Sequence, residues 1–558
     1  MVGDLVRMQG DVVEYNDLTE FVLSGDVEVL GAGGSILYTE LSMPFSTDTN
    51  LEAYEGMQIT FTQSLLVNDV YNLGRYGQFN VGSERVMIPT NQYPAGTAEA
   101  IALAEQNALN TLLVDDASNS QNLDGIPFPV GGLTHANPLR LGDTVENLTG
   151  VMHYSFSEYQ LLPVMDLELV RTNARTAYPL IGLTGDVKVA SFNVLNYFDG
   201  PDFPTSRGAT NEFELVRQEA KIVAALAAMD ADVVGLVEVE NDGHGEDSAI
   251  ATLTAAVNAE MGGDVYSYVS ISEALGTDEI AVGMIYKPAV VTPFGNAVTS
   301  SESPFDYGNR QPLLQSFTVN ANGEAFTLAV NHFKSKGSCS SATGDNADSG
   351  DGQGCWNALR TDAANGLVAI VENNSDTLSD RLLIMGDLNA YAAEEPILAL
   401  ESAGYTNLVN TFGGDSAYSY TFGGELGYLD HALSSPSLTE YVVDATVWHI
   451  NADEPRVFDY NEEYKTDAQI TDYYGADAYR SSDHDPVLVV LNFPDAVQPG
   501  DFDGDNDVDY NDIMAFYGLF LSGGASDLQY DFNNDGMVNF FDLNALMTMC
   551  TRAGCAVE

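Results

Sequence analysis

In the first 185 residues, apolar and polar positions alternate over short runs broken by Gly, Asn and Asp, the period-two signature of half-buried strands joined by tight turns. An internal echo lies within this stretch. GDLVRMQGDVVEYNDLTEF from Gly3 resembles GDTVENLTGVMHYSFSEYQ from Gly142, with Tyr15 and Tyr154 each twelve residues after the first glycine. The pattern predicts two related OB-like β-barrels, a partial one over 1–45 that lacks its opening strand and a second over 46–185 with a helical insert at 97–113. From about residue 186 the rhythm changes. KVASFNV, DVVGLVEVE, IAVGMIY, FTLAVNHF, RLLIMGDLN, YLDHAL and PVLVVLNF read as strands, and NEFELVRQEAKIVAALAAM (211–229) as an amphipathic helix opened by Asn211 and Glu214 at capping-box spacing. The chain is therefore multidomain, with a large α/β unit over 186–493, a short linker at 494–500 and a small acidic tail over 501–558.

The tail contains two twelve-residue loops thirty residues apart, DFDGDNDVDYND and DFNNDGMVNFFD, each followed by an apolar helix. Oxygen-bearing side chains stand at positions 1, 3, 5, 9 and 12: Asp501, Asp503, Asp505, Asp509, Asp512 and Asp531, Asn533, Asp535, Asn539, Asp542. Ca²⁺ takes about six to eight oxygens, and this spacing wraps them around one ion with the position-7 carbonyl added. Gly536 supplies the sharp turn in the second loop, where the first has Asn506. The duplicated loop–helix unit resembles a dockerin module, which implies paired EF-hand-like Ca²⁺ sites and a cohesin-type protein partner. A Ca²⁺-rigidified terminus without a partner is the other reading.

Charge narrows the function classes. Asp and Glu number 82 against 20 Lys and Arg, a formal net charge of −62, which excludes a protein that holds polyanions on a broad basic face. It leaves room for a small basic site acting on a polyanion, particularly in salt that screens the remainder within about 8 Å. No apolar run reaches the ~18–20 residues of a membrane span. The four cysteines fall as two close pairs, Cys339/Cys355 and Cys550/Cys555, without metal-site spacing, so two short-loop disulfides and an extracellular location are expected. The start at Met1-Val2-Gly3-Asp4 shows no signal peptide, and an N-terminally shortened chain is expected on that account.

Polar residues sit where the apolar runs of the α/β unit end. Asn193, Glu238, His332, Asp387, Asn389, Asp430, Asp483 and His484 together form a set of carboxylates, amides and imidazoles. A phosphodiester requires a metal to neutralise its oxygens, a group to activate water and donors for the charge of the transition state. SFNVLN, GLVEVEN, VNHFKS, MGDLNA, YLDHAL and SSDHDPV, in this order, resemble the endonuclease/exonuclease/phosphatase superfamily over roughly 186–493. The resemblance implies a four-layer sandwich of two packed β-sheets flanked by helices.

It also implies roles. Glu238 would be the principal Mg²⁺ or Mn²⁺ ligand, with Asn193 placing the phosphate or metal and Asp483 a second metal contact. Asp387 and Asn389 would position the attacking water. His484, oriented by Asp430, would serve in water activation or transition-state stabilisation, and His332 would contact the phosphate or assist the leaving oxygen. Asp278, or the adjacent Glu279, is the expected orienter of His332. The general base stays open, because spacing does not say which oxygen each nitrogen faces.

His332, Lys334, Lys336 and Arg360 fall within 29 residues of a cation-poor chain, an arrangement that reads as a local anion funnel, against the alternative of ion pairs to Asp345, Asp348 and Asp351. Cys339 and Cys355 would pin this loop, with Trp356 available for packing or base stacking. Arg310 is a further phosphate candidate; His431, His449 and Trp448 read as structural. DGQGCWNALR, LGRYGQF, GYLDHAL and VWHINADEP narrow the resemblance to extracellular nucleases of the ExeM/NucH type. It implies a secreted endonuclease acting on DNA, and on RNA in a broader reading, leaving 5′-phosphate ends. The competing readings are a phosphatase or phosphodiesterase acting on lipid or sugar phosphates, and a Ca²⁺-dependent binding or scaffold component with an inactive catalytic domain. For the N-terminal half, a spacer and a substrate-gripping role are both open.

Overall fold

The computed structural model describes residues 3–200, 203–272, 274–375, 377–494, 499–503, 507–523, 530–552 and 554–557. Most of the linker, and Asp505 and Asn506 of the first tail loop, lie outside them.

Two six-stranded sheets form the α/β unit. In the first, strands Val187–Tyr197 and Val233–Glu240 run parallel at the centre, flanked by Ile280–Tyr286 on one side and Val487–Leu491 and Val442–Val447 on the other. In the second, Ala325–His332 and Leu382–Asp387 form the parallel centre, between Leu313–Val319 and Asp430–Ser434. Every strand expected from the sequence is present. Val291–Val298, Leu313–Val319 and Val442–Val447 are additional.

The sheets pack face to face through Val187, Val237, Met284, Phe317, Leu328, Val330 and Met385. Helices Glu212–Met229 and Ala249–Met261 cover the outer face of the first sheet, and Asn357–Asn373 and Glu395–Ser402 that of the second, giving the expected four layers. Because both faces of each central strand are buried, these strands read as continuous apolar runs rather than alternating ones. Asn211 caps its helix by accepting from the Glu214 amide at 3.0 Å, but Glu214 reaches back to the Thr210 amide rather than to that of Asn211, so the expected box is shifted by one residue.

The N-terminal half differs from two OB-like barrels. Its main sheet has nine strands, with Glu168–Val170 at one edge and Thr39–Glu40 at the other, and no pairing closes it among the described residues. The insert is a shorter helix, Ala98–Ala108, followed by the strand Leu112–Val114. Residues 4–32 form two separate two-stranded ribbons instead of a partial barrel. Val12, Tyr15, Phe21, Val22 and Leu23 are exposed there, so among the described residues these strands enclose no barrel core. The internal echo survives as two hairpins, Gly10–Tyr15 with Leu18–Leu23 and Thr149–Ser155 with Glu158–Pro163. Each turns through two left-handed residues, Asn16-Asp17 and Phe156-Ser157.

Candidate active site

The ends of the central strands meet at one edge of the sandwich. Ladder register places His332 opposite Asp387, and Asp387 opposite Asp430. Gly386 makes this approach possible: its φ is +128°, and a Cβ there would lie 2.0 Å from the Asn331 carbonyl oxygen.

Glu238 stands outside its ladders. Val237 and Val239 pair with both neighbouring strands while Glu238, at φ +68°, bulges between them. Its Oε2 accepts from the Asn196 amide at 3.0 Å. On the adjacent strand Leu195 and Asn196 are also left-handed, at φ +55° and +53°. Such conformations cost about 1–3 kcal/mol each and persist where packing over-determines them, here between the buried cores on both faces of the sheet. Asn193 accepts from the Leu195 amide at 3.0 Å, while its Nδ2 is buried beside Glu238 without a good hydrogen bond.

His332 is buried, with Nε2 3.5 Å from Asp387 Oδ2 and 3.9 Å from Glu238 Oε1. Arg310 Nη1 donates to that Nε2 at 3.2 Å, which assigns the ring proton to Nδ1. Burial and the Arg310 charge hold the His332 pKa well below its usual range, so the ring is neutral. Asp278 does not touch His332. It accepts from Arg310 Nε at 3.0 Å and pairs with Arg207 at 3.3 Å, while Glu279 pairs with Arg207 at 3.2 Å. The orienter of His332 is thus Arg310, with the carboxylate one step further back. Arg207 was not picked out by sequence; its signal was a rare cation just ahead of a capped helix.

His484 is the opposite case. Its Nδ1 lies 2.7 Å from Asp430 Oδ2 and its Nε2 3.9 Å from Asp387 Oδ2. Burial alone would lower its pKa, but Asp430, Asp387 and Asp483 outweigh burial and raise it well above the ordinary value. Asp387 accepts from the Asn389 amide at 2.8 Å and from Asn389 Nδ2 at 3.1 Å, and burial raises its pKa. Burial and the charge of Asp483 likewise raise that of Glu238. The carboxylates of Glu238 and Asp483 raise each other's cost beside the Asn193 amide, and such an acidic, buried set suits a divalent cation.

A family model described as the Endonuclease/Exonuclease/phosphatase family matches residues 190–484. The chain belongs to this family. A second model, for a domain of unknown function (DUF8508), matches residues 49–173. A 57-residue stretch is 53% identical to the long isoform of an ulvan lyase from Glaciecola sp. (strain KUL10), and spans 10% of this chain and 6% of that protein. Similar solved structures include the human Nocturnin catalytic domain (14% identity, 54% of this chain and 92% of that one, TM-score 0.36). Others are D. rerio TDP2 complexed with single strand DNA product (15%, 55% and 99%, TM-score 0.33) and a Bacteroides thetaiotaomicron mannosyl-6-phosphatase (16%, 55% and 100%, TM-score 0.35).

Within this family member only part of the expected anion funnel faces the site: His332 and Lys334 do, beside Arg310, whereas Lys336 and Arg360 are committed to structure. Lys336 Nζ lies 2.6 Å from the buried Glu394 carboxylate and 2.6 Å from the Gln353 carbonyl oxygen. Arg360 is fully buried and donates to the carbonyls of Lys334, Cys355 and Gln353. Both shape the loop pinned by the Cys339–Cys355 disulfide. Lys334 lies over the Trp356 ring at 5.3 Å, and Trp356 is buried, donating to the Gly337 carbonyl, so it packs rather than stacks on a base. Among the described residues, the cations whose charge reaches His332 are Arg310, His484, Arg207 and Lys334. His431 donates to the Ala390 carbonyl, His449 pairs with Asp485 and Trp448 bonds Thr176, all structural as expected.

In the tail, Asp501, Asp503 and Asp512 bring carboxylate oxygens within 4.8 Å of one another, and Asp509 and Asp512 also cap the helix Tyr510–Leu521. Asn539 and Asp542 repeat this box on Phe540–Thr548, while Asp531, Asn533 and Asp535 accept from amides of their own loop. Cys550 and Cys555 are joined.

Proposed function

We propose that the protein is a secreted, metal-dependent endonuclease that hydrolyses phosphodiester bonds of DNA by in-line attack of water, leaving 5′-phosphate ends. The observation that carries the reading is the meeting of Glu238, Asn193 and Asp483 with Asp387–Asn389, His484–Asp430 and His332–Arg310 at one sheet edge.

Glu238, Asp483 and Asn193 would hold Mg²⁺ or Mn²⁺, which when bound neutralises phosphate oxygens and acts as a Lewis acid. Asp387, steadied by Asn389, holds the attacking water in line and takes its proton as the new P–O bond forms, while the bond to the 3′-oxygen breaks and leaves the phosphate on the 5′ side. His484, kept cationic by three carboxylates, donates to the charge that gathers on the phosphorus oxygens. Arg310, backed by Asp278 and braced on neutral His332, adds fixed positive charge on the other side of Asp387.

The location rests on two disulfides and a net charge of −62, both suited to an oxidising, salt-screened environment. The tail is read as a Ca²⁺-binding pair of loops that docks a cohesin-type partner. A substrate panel of duplex DNA, RNA, and sugar and lipid phosphates tests the assignment. DNA cleavage to 5′-phosphate ends is expected, and turnover of monoesters alone would refute it.

A further inference from the structure

We infer that residues 85–175, nearly all of which fall in the region matching the domain of unknown function, are a positioning element of the active site that clamps the hairpin and the loop holding Asp430 and His484. The inference rests on the reading above in so far as that pair is catalytic.

Two independent sets of contacts carry it. The first is strand addition. Val86–Met87 pairs in parallel with Glu425–Gly427, making a third strand beside Tyr420–Phe422. Ile88 donates its amide to the Leu426 carbonyl at 2.8 Å, Asn107 Nδ2 donates to Glu425 Oε1 at 2.7 Å, and Asn91 Oδ1 accepts from the Tyr428 amide at 3.2 Å. This hairpin lies between Ser419, whose hydroxyl donates to Asp430 Oδ2 at 2.7 Å, and Asp430 itself. It also carries Tyr420, whose ring centroid is 4.8 Å from that of His484.

The second set is ionic. Arg85 donates to the Tyr418 hydroxyl at 2.8 Å and to Asp453 at 2.7 Å. Arg140 meets Glu454 at 2.7 Å and the His449 carbonyl at 2.8 Å, and Arg175 forks onto both Glu454 oxygens. Between His449 and Asp453 on this loop sits Asn451. Its Nδ2 donates to the His484 carbonyl at 2.6 Å, and its Oδ1 accepts from the amides of Ser481 and Ser482.

A spacer would not require three of 20 cations to be committed to fully buried carboxylates. These three are not available to grip phosphate, because Asp453 and Glu454 already neutralise them. Through these contacts the clamp acts on catalysis by geometry, and breaking them shows in turnover rather than in substrate affinity.

The test uses the full chain with Arg85→Met, Asn107→Leu and Arg85→Lys. Turnover of a fluorescent DNA duplex in Mg²⁺ gives kcat and KM. The His484 ring resonance, measured at fixed pH in EDTA, reports its place in the Tyr420 ring current without metal or substrate. For Arg85→Met and Asn107→Leu, at least a tenfold fall in kcat, KM within twofold and a displaced His484 resonance are expected. Arg85→Lys should recover most of each. Unchanged kcat and His484 resonance in both folded variants would overturn the proposal, as would a rise in KM alone. If the wild-type chain cleaves no DNA, the nuclease reading fails while the resonance still decides whether the clamp positions His484.

Discussion

Asp430 Oδ2 receives two hydrogen bonds, from His484 Nδ1 and from the Ser419 hydroxyl, both at 2.7 Å. The carboxylate is buried, so its charge is spent on the imidazolium and aimed by the serine. Asp430→Asn keeps the shape but removes the charge that holds His484 protonated. It should lower kcat by about 10²–10⁴, against a few-fold for Ser419→Ala. Steady-state kinetics on a duplex substrate with verified folding checks this, and equal effects of the two changes would contradict it.

Glu238→Gln should separate stability from activity. A carboxyl group whose folded pKa is raised destabilises the fold once pH exceeds its unfolded value, because folding then buries a charge. At neutral pH without metal, the glutamine variant should be more stable than the wild type and inactive, and Mg²⁺ should no longer raise its Tm. Chemical denaturation with and without EDTA measures both.

Lys336→Met tests whether that cation serves substrate or structure. Glu394 is fully buried, with Lys336 and Thr90 as hydrogen-bond partners. Breaking such a pair costs about 3–5 kcal/mol. A large loss of stability is expected, with KM for DNA little changed in whatever fraction folds. A stable variant with a raised KM would restore the funnel reading.

How much of this was legible in the sequence depended on the range of the contacts. Strand-end residues such as Asn193, Glu238 and Asp387 stood out because apolar runs stop at them, and the ladder then brings them together. The Cys339–Cys355 pairing followed from spacing alone. The fate of the cations was hidden. Lys336 meets a carboxylate 58 residues away and Arg85 one 368 residues away, and pairings of that span leave no local pattern. For the same reason Asp278 looked like a histidine partner when Arg310 stands between them. The barrels failed for a different cause: alternation marks a strand with one wet face but says nothing of whether the sheet closes.

Acid should open the clamp between the two halves. Burial would raise the Asp453 pKa, but Arg85, His449 and Arg140 outweigh it and lower it to about 2. A depressed carboxylate stabilises the fold fully above its unfolded value of about 3.9, and that stability is lost as pH falls through the folded value. Roughly 2 kcal/mol should therefore disappear between about pH 4 and pH 2. Asp453→Asn should lose this component at neutral pH and show a flatter acid limb, read by urea midpoints across pH.

Calcium should act on the tail alone. With Ca²⁺ the loops at 501–512 and 531–542 should gain protection from proteolysis, and Asp512→Ala or Asp542→Ala should abolish it one loop at a time. Removing 501–558 should leave DNA turnover within about twofold, because the active-site contacts described above all lie before Phe493. An inactive truncation would show that the tail is part of the catalytic unit.

The most direct test of the central claim is digestion of supercoiled plasmid by the purified chain in Mg²⁺, Mn²⁺, Ca²⁺ or EDTA. Conversion to nicked and then fragmented DNA, abolished by EDTA and by Glu238→Ala, is the predicted result. Intact plasmid under every metal, from a protein shown to be folded, would contradict the endonuclease assignment.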